Sequence, residues 1–283
     1  MRVYRSAVLL AVAIGVFGGL QPATPASAQT PDGLKEFGAP VYPALEGWYF
    51  NPDGTASIMV GFFNRNQEET VDLPIGELNH FSPGPEDRGQ PTHFPPGRSW
   101  GVLTIQVSGD FDGDLTWTLT ANDQPASISL RLRPPYFIEP FKDAANNNEP
   151  PTIRFVATGE GFTGPPVGIA HTLAATVGTP VELAVWISDV KPDAVEGRRG
   201  GRGGRRSALT LRWHLLRGPG EMEFADTTLR ISEEDEHNPT TTATFSAPGE
   251  YLLRAEGLDS TGVGGGGFQC CWTSAIVQVT VSP

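Results

Sequence analysis

In the second half of this chain the apolar residues fall on every second position, strand after strand. Val181, Leu183, Val185 and Ile187 alternate with Glu182, Ala184, Trp186 and Ser188. Leu209, Leu211, Trp213 and Leu215 alternate with Thr210, Arg212 and His214, and the segments Thr241–Ser246, Tyr251–Glu256 and Ala275–Val281 follow. A period of two places successive side chains on opposite faces of an extended backbone, so one face of each strand packs inward. Thirty-four glycines and 26 prolines work against helices along the whole chain. The first half reads the same way, with strands at Glu46–Asn51, Thr55–Asn64, Thr70–Leu73, Gly101–Val107, Asp114–Thr120 and Ala126–Arg133. The expected fold is all-β, with two β-sandwich-like domains of which the second is immunoglobulin-like.

The amino terminus is read as an export signal over residues 1–28. Arg2 and Arg5 precede the uncharged apolar run Ala7–Leu20, and Ala26-Ser27-Ala28 supplies small residues for cleavage. That run is shorter than a bilayer-spanning helix requires, and no later segment is apolar enough to span. Residues 29–40 read as a flexible leader and 41–142 as the first domain. Residues 143–160, opening on Asp143-Ala144-Ala145-Asn146-Asn147-Asn148-Glu149-Pro150-Pro151, read as a linker, and 161–283 as the second domain. Inside the first domain, Gly76–Arg98 is long, poor in periodicity and rich in turn residues. Such a loop is either functional or packed by its own side chains. The net charge of −12 argues against nucleic acid as a partner.

Trp213 in the third strand, Pro248-Gly249-Glu250-Tyr251 before the sixth, and the closing Ile276-Val277-Gln278-Val279-Thr280-Val281 resemble bacterial immunoglobulin-like domains of the PKD-like kind, over about Thr163 to Val281. The resemblance implies a tyrosine corner at Tyr251, whose hydroxyl bonds upstream backbone. Leu253 stands where antibody domains carry a cysteine, so their inter-sheet disulfide is absent. Gly47-Trp48-Tyr49-Phe50-Asn51-Pro52-Asp53-Gly54, with Phe63-Asn64-Arg65-Asn66 and Gly89–Arg98, is similar to a region of uncharacterised exported bacterial proteins, a likeness that implies no activity.

Several segments carry residue types with chemical potential. Asp110, Asp112 and Asp114 alternate as in the opening of a calcium loop, but Leu115 and Ala121 stand where the loop needs glycine and glutamate. The competing reading is an acidic hairpin turn. His80 and His93 share the long loop, and neither has metal-type spacing with another histidine. Trp48, Tyr49 and Phe50, with Trp100 and Trp117, are either core or a sugar-stacking platform. Arg198, Arg199, Arg202, Arg205 and Arg206, interleaved with glycine, read as a flexible insertion or as a basic surface for an acidic partner. Glu233, Glu234 and Asp235 form an acidic loop. Cys270 and Cys271, the only cysteines, are read as a vicinal disulfide, as free thiols or as a link between chains. No Gly-x-Ser-x-Gly elbow and no phosphate loop is present, and no cofactor is expected.

In immunoglobulin order strand B is Val181–Ser188, C is Leu209–Leu216, D lies near Thr228–Ile231, E is Thr241–Ser246, F is Tyr251–Glu256 and G is Ala275–Val281. This order sends the arginine–glycine tract, the acidic loop and the glycine-rich segment carrying Cys270-Cys271 to one end of the sandwich. The functional expectation is an exported, non-catalytic protein, periplasmic or extracellular, that binds or scaffolds a protein or polysaccharide partner at the cell envelope. The alternatives are a carbohydrate-binding module using the N-terminal aromatics and a hydrolase using His80 or His93 with nearby acids.

Overall fold

Asn51-Pro52-Asp53-Gly54 turns the chain between its first two strands, with proline fixing one φ and Gly54 taking φ +83°. The Asn51 N–H donates to Thr55 O (2.8 Å) and the Gly54 N–H to Asn51 O (3.0 Å), closing the hairpin. The computed structural model describes residues 35–139, 148–190, 209–231, 238–259 and 270–283. The proposed signal and leader up to residue 34 lie outside them.

The first lobe contains β1 (Val41–Phe50), β2 (Ala56–Asn64), β3 (Val71–Asp72), β4 (Asn79–Ser82), β5 (His93–Phe94), β6 (Gly97–Val107), β7 (Leu115–Ala121) and β8 (Gln124–Leu130). The sheets β1-β2-β6 and β4-β7-β8 face each other, and β3-β5 is a side ribbon. Leu115, Trp117 and Leu119 are buried while the threonines between them are only partly so, which is the inward face the alternation requires. Phe62, Phe81, Phe94 and Trp117 fill the space between the sheets.

One feature of this lobe differs from expectation and another decides between two readings. The Asp110–Asp114 segment is not a hairpin turn, because β6 and β7 belong to opposite sheets and the segment crosses between them. The long stretch 76–98 is packed by its own side chains, one of the two readings its sequence left open. Buried Asn79 donates to Leu73 O and Pro91 O and accepts from the Trp117 indole N–H, and buried Gln90 donates to Glu86 O. These side chains satisfy backbone groups that a ladder would otherwise pair.

The second lobe contains β9 (Thr152–Arg154), β10 (His171–Thr176), β11 (Val181–Ala184), β12 (Trp186–Ser188), β13 (Leu209–Arg217), β14 (Met222–Phe224), β15 (Thr228–Ile231), β16 (Thr240–Phe245), β17 (Gly249–Leu258) and β18 (Trp272–Ser282). Sheet β11-β16-β14 packs against β10-β18-β17-β13-β15. This is immunoglobulin order, B-E-D against G-F-C, with β10 running parallel to β18. The expected D strand needs correction. Thr228–Ile231 pairs with β13 in the larger sheet, and Met222–Phe224 occupies the place beside strand E. Gly218-Pro219-Gly220 lets the chain cross between sheets, and a three-residue strand is too short to show a period. Thr152–Arg154, within the span read as linker, pairs with Trp186–Ser188.

Tyr251 is fully buried and its hydroxyl donates to Ala247 O at 3.0 Å, the geometry of a tyrosine corner. Tyr251→Phe leaves that carbonyl without its donor. It is expected to cost about 1 kcal/mol in urea unfolding, with the slope of the transition unchanged.

Candidate interlobe groove

Along β17, Tyr251, Leu253 and Ala255 face the core of the second sandwich, so Arg254 and Glu256 point outward. Outward positions of a sandwich are usually solvated. Here the first lobe covers them, leaving Arg254 2% and Glu256 4% exposed. Arg254 Nη1 donates to Trp100 O across the seam at 2.9 Å, and Arg254 Nη2 is paired with Glu256. The other carboxylate oxygen of Glu256 meets His214 Nε2 at 3.1 Å and Arg212 Nη1 at 4.0 Å, both from β13. A second set of ties holds the other end of the seam. The Thr92 N–H donates to Leu216 O at 2.9 Å, and Arg217 reaches Asp87 (2.6 and 3.0 Å) and Gln90 O. The Arg217 hydrogen bond holds the Asp87 carboxyl below its usual range.

Burial pushes the Glu256 carboxyl up, but Arg254, the His214 hydrogen bond and Arg212 outweigh it and hold it at about 2. Burial depresses His214 below its ordinary value, against the opposing pull of Glu256. A carboxylate lowered on folding contributes stability above its unfolded pKa, near 4.5, and that contribution is lost as pH falls toward the folded value. A histidine lowered on folding acts in the same direction from about pH 6.5 downward, because the unfolded chain takes the proton first. Stability in urea is therefore expected to decline in two stages below about pH 6.5. His214→Gln should remove its share of the upper stage and reduce the lower one less, because Arg254 and Arg212 still hold Glu256 down. His171, stacked on Phe155 at 4.8 Å and lowered by burial, adds to the upper stage.

Between the β3-β5 ribbon and the β13–β14 edge this seam leaves a groove of about 940 Å³. Pro74, Ile75 and His93 line one wall, and Leu215, Met222 and Phe224 line the other. His93 Nδ1 lies 2.8 Å from Asp72 Oδ1 within it. A histidine in a cleft within hydrogen-bond reach of a carboxylate is the arrangement that general-base chemistry needs.

The other candidate residues fall as follows. Asp114 is held by Arg131 and Ser129, which bring its carboxyl to about 2, and Asp110 accepts from Ser108. Among the described residues no group of three or more His, Cys, Asp or Glu converges as a metal site. Trp48 is buried, donates its indole N–H to Arg133 O at 2.8 Å, and meets Phe50 and Phe137 edge-on. Tyr49 is also buried, which raises its hydroxyl pKa, and lines a smaller recess. Neither ring offers an open face for a sugar, and the rings exposed beside them are Phe50, Tyr136 and Phe137, each about half exposed. His80 bonds Gly76 O. Cys270 and Cys271 are joined as a vicinal disulfide, buried ahead of β18.

Arg198, Arg199, Arg202, Arg205 and Arg206, like Glu233, Glu234 and Asp235, lie outside the described residues. The residues flanking these segments do meet, since Leu209 pairs with Ile231, Thr210 with Leu258, and Leu258 with Trp272. Sequence reading missed both the Arg254–Glu256 cluster and the groove. The available signal was four charged or titratable outward positions, Arg212, His214, Arg254 and Glu256, on neighbouring strands.

No protein family and no curated protein matches the chain. Among solved structures it is similar to a C. elegans MSP family member (WR4) at 9% identity and TM-score 0.25, over 39% of this chain and 92% of that one. It is similar to the D0-D1 domain of intimin at 11% and 0.22, over 86% and 95%. It is similar to a tandem of titin Ig domains at 12% and 0.22, over 86% and 99%. Likeness at these values carries no functional argument. Among the described residues no helix is long and apolar enough to cross a membrane.

Proposed function

We propose that this chain is an exported, non-catalytic binding protein that holds a protein or polysaccharide partner at the cell envelope. One observation carries the reading: two lobes joined through buried charge share a preformed groove to which both contribute a wall. Preformed concavity with mixed apolar and polar lining is the usual form of a binding site. The tyrosine corner at Tyr251 supports a PKD-like assignment for the second lobe within the same proposal. The test is capture of a partner from envelope fractions by the mature protein, with recovery quantified against a bait denatured and immobilised in the same way. Specific enrichment supports the proposal. A substrate turned over by the purified protein, with turnover abolished by one side-chain change, overturns it.

A second reading is favoured by the Asp72–His93 pair, in which the carboxylate orients the imidazole inside the groove. A hydrolase built on it predicts loss of ester or glycoside hydrolysis in His93→Ala. An absence of hydrolysis in the unmodified protein ends that reading.

A further inference from the structure

The geometry points to an extended peptide segment carrying a basic side chain as the occupant of the interlobe groove. This inference rests on the binding reading above and names the class of partner.

The first argument is backbone. β15 pairs with β13 only along Leu209–Arg212, so the rest of β13 has β17 on one side and no strand on the other. The Trp213 N–H points to that open side, where it donates to Thr227 O at 2.9 Å. Backbone groups two residues apart point the same way, so the N–H and C=O of Leu215 face the groove. Thr92, bonded to Leu216 O, closes the stretch at its far end. A donor and an acceptor on one residue of a strand edge match the donor and acceptor of an extended peptide residue.

Side chains supply the second argument. Leu215, Met222 and Phe224 are each half-buried and form an apolar socket beside that backbone pair. Trp213 also lines the groove but is 2% exposed, so its ring offers no face for a sugar to stack on, and Phe224 is the aromatic ring left partly open. An extended peptide brings a side chain to the socket and the next one to the rim.

Charge selects the peptide. The exposed carboxylates Asp72 and Glu221 stand in the two walls. Among the described lining residues these two carboxylates face a single guanidinium, that of Arg212, 4.0 Å from Glu256 Oε2. The field open to a ligand is therefore acidic, on a chain of net charge −12. A lysine or arginine at the rim is complementary to it, and glutamate or aspartate is repelled.

The test uses the full mature protein and a displayed library of random peptides of about nine residues, long enough to cross the groove extended. The tightest enriched peptide is then measured by fluorescence polarisation. The expected peptides carry lysine or arginine one position from a large apolar residue. Their affinity should fall about tenfold or more in Asp72→Lys/Glu221→Lys and weaken as salt rises. Thr228→Trp, an exposed position, fills the groove from the other side and should abolish binding with the melting temperature unchanged. Enrichment of acidic or uncharged peptides, no enrichment, or binding indifferent to these variants overturns the assignment. An envelope partner whose capture survives Thr228→Trp also refutes the groove while leaving the binding reading intact. Failure to capture any partner refutes the binding reading itself.

Discussion

Glu256→Gln is expected to destabilise the protein by about 3–5 kcal/mol, because it leaves the Arg254 guanidinium buried without its counter-charge. For a chain of this size that corresponds to a fall in melting temperature of roughly 10 °C. The charges, not the space, are what the substitution tests, since glutamine has nearly the same volume. Replacing both partners, as Arg254→Met with Glu256→Leu, should cost much less than Glu256→Gln alone. Calorimetry of the single and double variants decides it. If the single variant melts within a degree or two of the unmodified protein, the buried pair does not hold the seam.

Trp272→Ala should cost about 3–5 kcal/mol, as large buried aromatics do when truncated. Trp272 is wholly buried and lies against Met59 and Ile138 of the first lobe and Leu258 of its own. Its ring also covers Gly101, where a side chain would collide with it and where φ is +50°. Gly101→Ala should therefore destabilise through the same contact from the opposite lobe. Combined with Trp272→Ala its collision disappears and only the backbone strain remains, so the two losses should not add. Full additivity would show that the lobes do not meet through this tryptophan.

Much of the fold is legible in the alternation of Val181–Ile187, Leu209–Leu215 and Tyr251–Ala255, because period two fixes which face turns inward. The turn at Asn51–Gly54 and the corner at Tyr251 are equally legible, since proline, glycine and tyrosine act there through local geometry. Met222–Phe224 was not, because three residues give no period, and Thr228–Ile231 went to the wrong sheet as a result. The packing of residues 76–98 depends on Asn79 and Gln90 bonding carbonyls four to twelve residues away, a spacing that no periodic pattern marks in the sequence. The site was least legible of all. Arg254 and Glu256 alternate with apolar residues exactly as solvated outward positions do, and only the arrival of a second lobe buries them. Asp72 and His93 are 21 residues apart and meet because β3 pairs with β5.

The two lobes form one cooperative body whose seam builds the groove. Native-state hydrogen exchange in increasing urea tests it directly, by comparing the slowest amides of β2 and β6 with those of β17 and β18. Both sets should exchange through the same opening, with equal free energies that fall together as urea rises. A first lobe that opens at clearly lower free energy while β17 and β18 remain protected would contradict it.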